Sequence, residues 1–180
     1  MQGGIMSDLL ITNVDVLTDK GTLTNHAIEI KNGYITSILT AEEAKTVQAK
    51  ETLDGKGQLA APGLVNTHTH IAMGLFRNYA DDLELMDWLE TAIWPTEAKL
   101  NDDLIKWGTQ LGIAEMLRSG TTTFSDMYFF MDTTADVVKE TGIRAVLSRG
   151  LAGVSPTADQ ALVENADLFR SEEHTSELQS

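Results

Sequence analysis

The pattern of apolar and turn-forming residues changes near Gly63, and this change restricts the fold more than any other feature of the sequence. Before it, apolar and β-branched residues form short runs that are typical of strands. After it, strand patterns and helix patterns alternate, which predicts a parallel sheet or a barrel. We therefore expect an α/β chain with a strand-rich domain at residues 1–62 and a second domain at residues 63–169.

The first domain is predicted to contain a β-hairpin. Residues 9–17 are rich in β-branched side chains, and apolar residues between Ala27 and Ile38 flank the dipeptide Asn32-Gly33. Asn-Gly between two apolar runs is a strong hairpin signal, because both residues readily adopt a positive φ. A third short strand is expected near residues 51–53.

The second domain is predicted to alternate strands with helices. Strands are expected at residues 64–66, 121–128 and 143–148. Helices are expected from Asp82 to Pro95, from Asn101 to a stop at Gly120, at residues 132–140 and at residues 157–169. The second helix carries an apolar stripe that is predicted to face the core, formed by Leu104, Trp107, Leu111, Ala114 and Leu117.

Composition narrows the classes of partner. The 180 residues are 42% hydrophobic, which is enough for a globular core, and 13 basic against 27 acidic residues give a net charge of -14. Such a charge repels phosphate backbones and anionic lipids. Since the sequence also lacks a leader pattern and a long apolar run, we expect a cytoplasmic protein that binds neither nucleic acid nor membranes. Cysteine is absent, so any metal must be held by His, Asp or Glu.

Two histidines, His68 and His70, follow the short strand at residues 64–66. Side chains two apart on a strand share a face, so both imidazoles are expected together at the carboxyl end of the strand, where barrels place their active sites. Two imidazoles suit a borderline divalent ion such as zinc, and nickel, iron or manganese remain open. The His-x-His motif alone is unspecific, because exposed or hydrogen-bonded histidines are common.

Five separated motifs surround or follow this pair: PGLVNTHTH at 62–70, LFRNYADDL at 75–83, DWL at 87–89, IWPTE at 93–97 and SGTTTF at 119–124. Together they resemble the amidohydrolase superfamily and, within it, the subgroup that deaminates methylthioadenosine and S-adenosylhomocysteine. The resemblance extends over residues 9–169. It implies a partial (β/α)8 TIM-type barrel, comprising about the first three strands, preceded by half of a small β-sandwich. A complete barrel needs roughly 250 residues.

The resemblance also implies roles for four residues. His68 and His70 match the first two ligands of one divalent metal ion, with zinc as the expected ion. Glu97 matches a carboxylate that accepts hydrogen bonds from the ribose hydroxyls, and the alternative is a solvated glutamate at a helix end. Arg149 resembles an arginine that contacts the carboxylate of S-adenosylhomocysteine, and the alternative is an ordinary ion pair.

Four further residues could reach this site. Trp88 and Trp94 could wall the adenine ring, but we expect both to pack in the interior. Asp126 and Tyr128 end the strand at residues 121–128, where polar side chains often only cap the next helix, so no role is predicted for them.

The implied reaction is hydrolytic deamination of an adenine nucleoside to the inosine analogue and ammonia. The remaining metal ligands and the glutamate that moves protons are expected downstream, so no catalytic residue is assigned within this chain. Two alternatives stay open: another amidohydrolase, such as a guanine or cytosine deaminase or a triazine chlorohydrolase, and an inactive truncated fragment. The expected partner is a small-molecule nucleoside, and the sequence is compatible with a homo-oligomer of the full-length protein.

Residues 170–180 read RSEEHTSELQS and resemble the translation of a sequencing adapter. Because the family resemblance stops before them, we expect a non-native tail, and the alternative is a natural polar tail. His174 lies in this segment and is not expected to bind the metal.

Overall fold

A computed structural model describes residues 6–150 and 158–176, and in the second range it describes the side chains of residues 159–170. The chain divides into two compact units, residues 1–62 and residues 63–180. Strands and helices are both present, which confirms the predicted α/β class. Within the described residues, no helix has both the length and the hydropathy that crossing a membrane requires.

One four-stranded sheet forms the first unit, in the order β3-β2-β1-β4. Its elements are β1 (Ser7–Thr18), β2 (Gly21–Lys31), β3 (Tyr34–Thr40), α1 (Ala41–Ala44) and β4 (Ala49–Ala60). Strand β1 pairs antiparallel with β2 and parallel with β4. Leu10, Ala27 and Ala44 are buried in one cluster, so α1 packs on one face of this sheet.

The predicted hairpin is confirmed. Asn32 and Gly33 connect β2 to β3 with φ values of 51° and 76°, and Lys31 pairs with Tyr34 across the turn. Positive φ at both central positions gives a turn whose twist matches that of the paired strands. The dipeptide therefore sets the pairing of β2 with β3 locally.

Strand β4 is longer than the short strand expected at residues 51–53. It continues through residues 54–57, where Asp-Gly-Lys-Gly indicates a turn. Lys56 and Gly57 have φ values of 54° and 72°, and the pairing register with β1 shifts opposite them. The turn-forming residues therefore make a bulge inside the strand and do not end it.

Three parallel strands form the sheet of the second unit, in the order β5-β6-β7. They are β5 (Leu64–Thr69), β6 (Thr121–Tyr128) and β7 (Arg144–Arg149), and the longer helices are α4 (Asp102–Arg118), α5 (Met131–Thr141) and α6 (Ala158–Ser176). The predicted alternation and the bounds predicted for β6 are confirmed. Parallel pairing brings the carboxyl ends of the three strands to one edge, where the candidate site residues lie.

The helix predicted from Asp82 to Pro95 differs at both ends. It begins at Leu85 and consists of α2 (Leu85–Trp88), a π-helical turn (Leu89–Ile93) and α3 (Trp94–Glu97), and no side chain caps its start. Pro95 lies in the first turn of α3, where a missing N–H is tolerated. A π-helical turn comes directly before α3, and there the Trp94 N–H bonds the carbonyl of Leu89, five residues back.

Helix α4 begins after Asn101 as predicted, and the Asn101 side chain accepts the N–H of Leu104 at 3.0 Å. The prediction for its buried face is wrong. The whole apolar stripe is exposed, with Trp107 67% exposed, whereas Ile105, Gly108, Thr109 and Ile113 are buried. Small residues explain the choice of face, because glycines let α4 approach the 3₁₀ segment Ile71–Phe76 closely.

We expect Gly108→Ala to destabilise the protein. An added Cβ at this position would lie 2.7 Å from the carbonyl oxygen of Ala72 and 3.0 Å from its Cα, so α4 or the segment that follows His70 must move. Overpacking of this kind costs roughly 1–3 kcal/mol, which exceeds the helix-propensity gain of up to about 1 kcal/mol. Urea unfolding measures the loss.

Gly74→Ala is the matched control, because a Cβ at Gly74 meets no atom within 4 Å. If Gly108→Ala were as stable as Gly74→Ala, the close approach of α4 to the 3₁₀ segment would be contradicted.

Helix α6 confirms the helix predicted at residues 157–169 from Ala158 onward and extends to Ser176. Arg170, the first residue of the predicted tail, pairs with Asp167 at 2.7 Å. The other side chains of that tail, including His174, lie outside the described residues. The statement that His174 binds no metal therefore stays a prediction.

Candidate active site

The two histidines lie at the carboxyl end of β5, with His68 in the strand and His70 directly after it. Their ring centroids are 5.3 Å apart in an edge-on arrangement. The Nδ1 atom of His70 lies 2.6 Å from the carbonyl oxygen of Met127. Because a carbonyl only accepts hydrogen bonds, Nδ1 carries the proton and Nε2 keeps the lone pair that a metal ion needs.

Asp126 of β6 lies beneath the turn that carries His70. It is 1% exposed, and its Oδ1 accepts the N–H of Ile71 at 3.1 Å. Burial raises the pKa of the Asp126 carboxyl to about 6, while hydrogen bonds from the N–H groups of Ile71 and Met127 act in the opposite direction. Among the described residues, Oδ2 has no hydrogen-bond partner. An unpaired buried oxygen costs free energy.

A pocket of about 310 Å³ opens at the carboxyl ends of the strands and brings together three of the four residues predicted for the site: His70, Glu97 and Arg149. His68 is not among the residues that line it. The rest of the wall is mainly apolar and aromatic and includes Trp88, Trp94, Met127, Tyr128 and Phe129. A mainly apolar wall with a few convergent polar groups is typical of small-molecule sites.

Glu97, at the end of α3, is half-buried and accepts a hydrogen bond from the hydroxyl of Tyr128 at 2.7 Å. Tyr128 is 5% exposed. Burial and the neighbouring Glu97 raise the pKa of Tyr128 above its ordinary value, so its hydroxyl remains a donor. The Glu97 carboxylate is therefore partly withdrawn from solvent and held by one hydrogen bond.

Arg149, at the end of β7, forms the ion pair that the sequence left open. Its Nε donates to Glu164 Oε2 at 2.8 Å, and its guanidinium lies 4.2 Å from the centroid of the Phe129 ring. Asn165 bonds both the N–H and the carbonyl of Arg149 at 2.6 and 2.8 Å. The side chain is therefore held at the wall of the pocket by Glu164 of α6 and by Phe129, the residue that follows β6.

Trp88 and Trp94 both line the pocket, and Trp94 is 49% exposed, so the expectation that Trp94 packs in the interior is wrong. Sequence reasoning assigned no role to Asp126 and Tyr128. The sequence feature that could have identified them as site residues was their position at the end of a parallel strand, where side chains from neighbouring strands converge. Polar residues at strand ends are too common for this signal to select them alone.

The chemistry of the donors fits a zinc ion in part. Two imidazoles in contact, one with a defined free nitrogen, can supply two ligands of a tetrahedral site. Within the described residues, no group of three or more His, Asp or Glu side chains could hold a metal ion. The described residues therefore bring two candidate metal donors together, His68 and His70.

Sequence comparisons agree on one family. The pattern described as "Amidohydrolase family" matches residues 59–179. The 5-methylthioadenosine/S-adenosylhomocysteine deaminase of Desulforamulus reducens is 44% identical over 169 residues, which is 92% of this chain and 39% of the relative. The 5'-deoxyadenosine deaminase of Methanosarcina mazei is 52% identical over 151 residues, which is 81% of this chain and 34% of the relative.

Comparison with solved structures also finds a deaminase. The crystal structure of an adenosine deaminase from Xanthomonas campestris with bound zinc superposes with a TM-score of 0.81 at 37% identity, over 92% of this chain and 40% of that one. The chain thus spans between about a third and two fifths of the length of these three proteins.

Proposed function

Because the chain belongs to the amidohydrolase family, we propose that the whole protein is a metal-dependent hydrolase that deaminates an adenine nucleoside. The proposed substrates are 5′-methylthioadenosine and S-adenosylhomocysteine. Water replaces the amino group at C6, which gives the inosine analogue and ammonia. The names of the similar proteins support an adenine nucleoside, since each of the three is a deaminase of adenosine or of an adenosine derivative.

The fold proposed for the whole protein is a (β/α)8 barrel in which β5, β6 and β7 are the first three strands. Their parallel order, with helical segments after each strand, supports this assignment. The sheet of residues 1–62 is proposed to be half of a β-sandwich. The remaining barrel strands, metal ligands and proton-transferring residues are proposed to lie in the part of the relatives' length that this chain does not span.

His68 and His70 are proposed to hold the metal ion, with zinc as the proposed ion. When bound, such an ion supplies Lewis acidity and lowers the pKa of water towards neutrality. The carbonyl of Met127 orients the His70 ring, and Asp126 holds the backbone of the next residue, Ile71. Both contacts keep the imidazole in one orientation, which strengthens metal binding.

The single observation that carries the proposed function is the convergence of His70, Glu97 and Arg149 in one pocket. The Glu97 carboxylate has several acceptor sites, which suits the two adjacent hydroxyls of a ribose. Trp88 and Trp94 offer flat apolar surfaces to a purine. Arg149 offers positive charge to the carboxylate of S-adenosylhomocysteine, in competition with Glu164.

Replacing Glu97 with glutamine is expected to weaken nucleoside binding in the whole, metal-loaded protein. Glutamine keeps the size of the side chain but loses the charge that strengthens its hydrogen bonds to the diol. A hydrogen bond to a charged group contributes about 1.5–3 kcal/mol, so KM for adenosine should rise roughly 10- to 100-fold. Steady-state kinetics with adenosine, compared with a free base that lacks ribose, measures the effect.

The control is Glu90→Gln, because Glu90 is exposed and does not line the pocket. It should leave KM unchanged. An unchanged KM in Glu97→Gln, with turnover of guanine, cytosine or a chlorinated triazine, would favour a substrate without ribose and would overturn the nucleoside proposal.

A further inference from the structure

A hydrogen bond links two elements that are distant in sequence at the proposed ribose position. Tyr128 ends β6 and Glu97 ends α3, and the tyrosine hydroxyl donates to Glu97 Oε1 at 2.7 Å. Both residues line the same pocket. The contact therefore lies in the proposed substrate site and connects β6 to α3.

The surroundings of Tyr128 fix the position of its hydroxyl. The ring is buried in a cluster that includes Ala72, Ile105 and Met131. It also packs edge-on against Phe129, with ring centroids 4.9 Å apart, and lies 6.0 Å from the His70 ring. A ring held on several sides leaves the hydroxyl little freedom, so its hydrogen bond has a defined direction.

The Glu97 side chain is restrained less by helix α3 than the Tyr128 ring is by its packing. Helix α3 has only four residues and follows a π-helical turn, so backbone structure alone constrains the long glutamate side chain weakly. A free glutamate loses considerable rotamer entropy when a ligand orders it. The bond from Tyr128 removes part of that cost before the ligand arrives.

We propose that Tyr128 is a positioning residue for nucleoside recognition: it anchors one oxygen of Glu97 so that the carboxylate meets the ribose diol in one orientation. This inference rests on the proposed function, in which Glu97 binds the ribose hydroxyls. One donor from Tyr128 leaves enough acceptor sites on the carboxylate for two ribose hydroxyls. Tyr128 itself acts through Glu97 and need not touch the substrate.

The test is Tyr128→Phe in the whole, zinc-loaded protein, with adenosine and 2′,3′-dideoxyadenosine as substrates. Phenylalanine keeps the packed ring and removes only the hydroxyl. We expect kcat/KM for adenosine to fall about tenfold, chiefly through KM, because the order of Glu97 is lost. For the dideoxy substrate, which has no diol, kcat/KM should change less than about twofold.

Tyr34→Phe is the matched control, since Tyr34 is 75% exposed and lies in the first unit. It should leave kcat/KM unchanged for both substrates. A double variant, Tyr128→Phe with Glu97→Gln, should have the same kcat/KM for adenosine as Glu97→Gln alone, because Tyr128 acts only through Glu97.

Equal losses on both substrates would overturn the proposal, since a general packing or folding defect has that effect. The proposal would also be overturned if the double variant lost as much kcat/KM for adenosine as the two single losses combined. If the unaltered protein shows no preference for adenosine over the dideoxy substrate, the role of Glu97 in the proposed function fails. If that preference exists and survives Tyr128→Phe, only the role of Tyr128 fails.

Discussion

Replacing His70 with alanine is expected to remove bound zinc from the whole protein and to reduce deamination about 1,000-fold or more. The change deletes Nε2, the one nitrogen of His70 that its hydrogen bond to Met127 leaves available. A catalytic metal ion contributes several kcal/mol to transition-state stabilisation, and each 1.36 kcal/mol is tenfold in rate. Metal content measured by mass spectrometry gives a readout that does not depend on the reaction.

His26→Ala is the control for this change. His26 belongs to β2 in the first unit, and its Nδ1 contacts the carbonyl oxygen of Thr24 at 2.7 Å. That variant should keep both its zinc and its activity. If His70→Ala retained one equivalent of zinc per chain at unchanged activity, the assignment of His70 as a metal ligand would be wrong.

Phe124→Ala is expected to produce the largest loss of stability in the second unit. Phe124 is 0% exposed at the centre of β6 and packs with the buried side chains of Ile71, Ile113, Val137 and Ile143. Removing a buried phenylalanine leaves a cavity that surrounding elements fill only partly, at a cost of about 3–5 kcal/mol. Urea unfolding followed by circular dichroism measures the change.

Phe169→Ala makes the same chemical change at a side chain that is 66% exposed. Exposed substitutions of this kind stay within about 0.5 kcal/mol of the unaltered protein. Similar unfolding midpoints for the Phe124 and Phe169 variants would contradict the position of Phe124 in the core.

Features encoded by a few adjacent residues could be predicted from the sequence. The Asn32-Gly33 hairpin depends on backbone preferences of two residues, and the start of α4 depends on one side chain, Asn101. Strand β6 was predicted with its bounds because β-branched residues are grouped between Gly120 and the next helix. Each of these signals acts over a short stretch of chain.

Features that depend on a distant packing partner could not be predicted in this way. The buried face of α4 is decided by the close approach of Gly108 to Ala72, although the opposite face is more apolar. The helical segment continues past Pro95 after a π-helical turn, and such a turn has no simple sequence signal. Local patterns do not contain the surface against which a helix packs.

The candidate site also combines features with a local sequence signal and features that depend on distant contacts. The spacing of His68 and His70 predicted that both lie at the carboxyl end of β5, whereas their metal role, like the roles of Glu97 and Arg149, came from the family resemblance. The contacts that hold these residues join distant parts of the chain: Tyr128 holds Glu97 and Glu164 holds Arg149. Such pairs become visible only once the strands and helices are assembled.

The most direct test of the central claim is the release of ammonia from methylthioadenosine and from S-adenosylhomocysteine by the whole, zinc-loaded protein. We expect one equivalent of ammonia and one equivalent of the inosine analogue for each nucleoside consumed, and no turnover after zinc is chelated. Failure to deaminate either nucleoside or adenosine, by a folded protein with its zinc bound, would contradict the account.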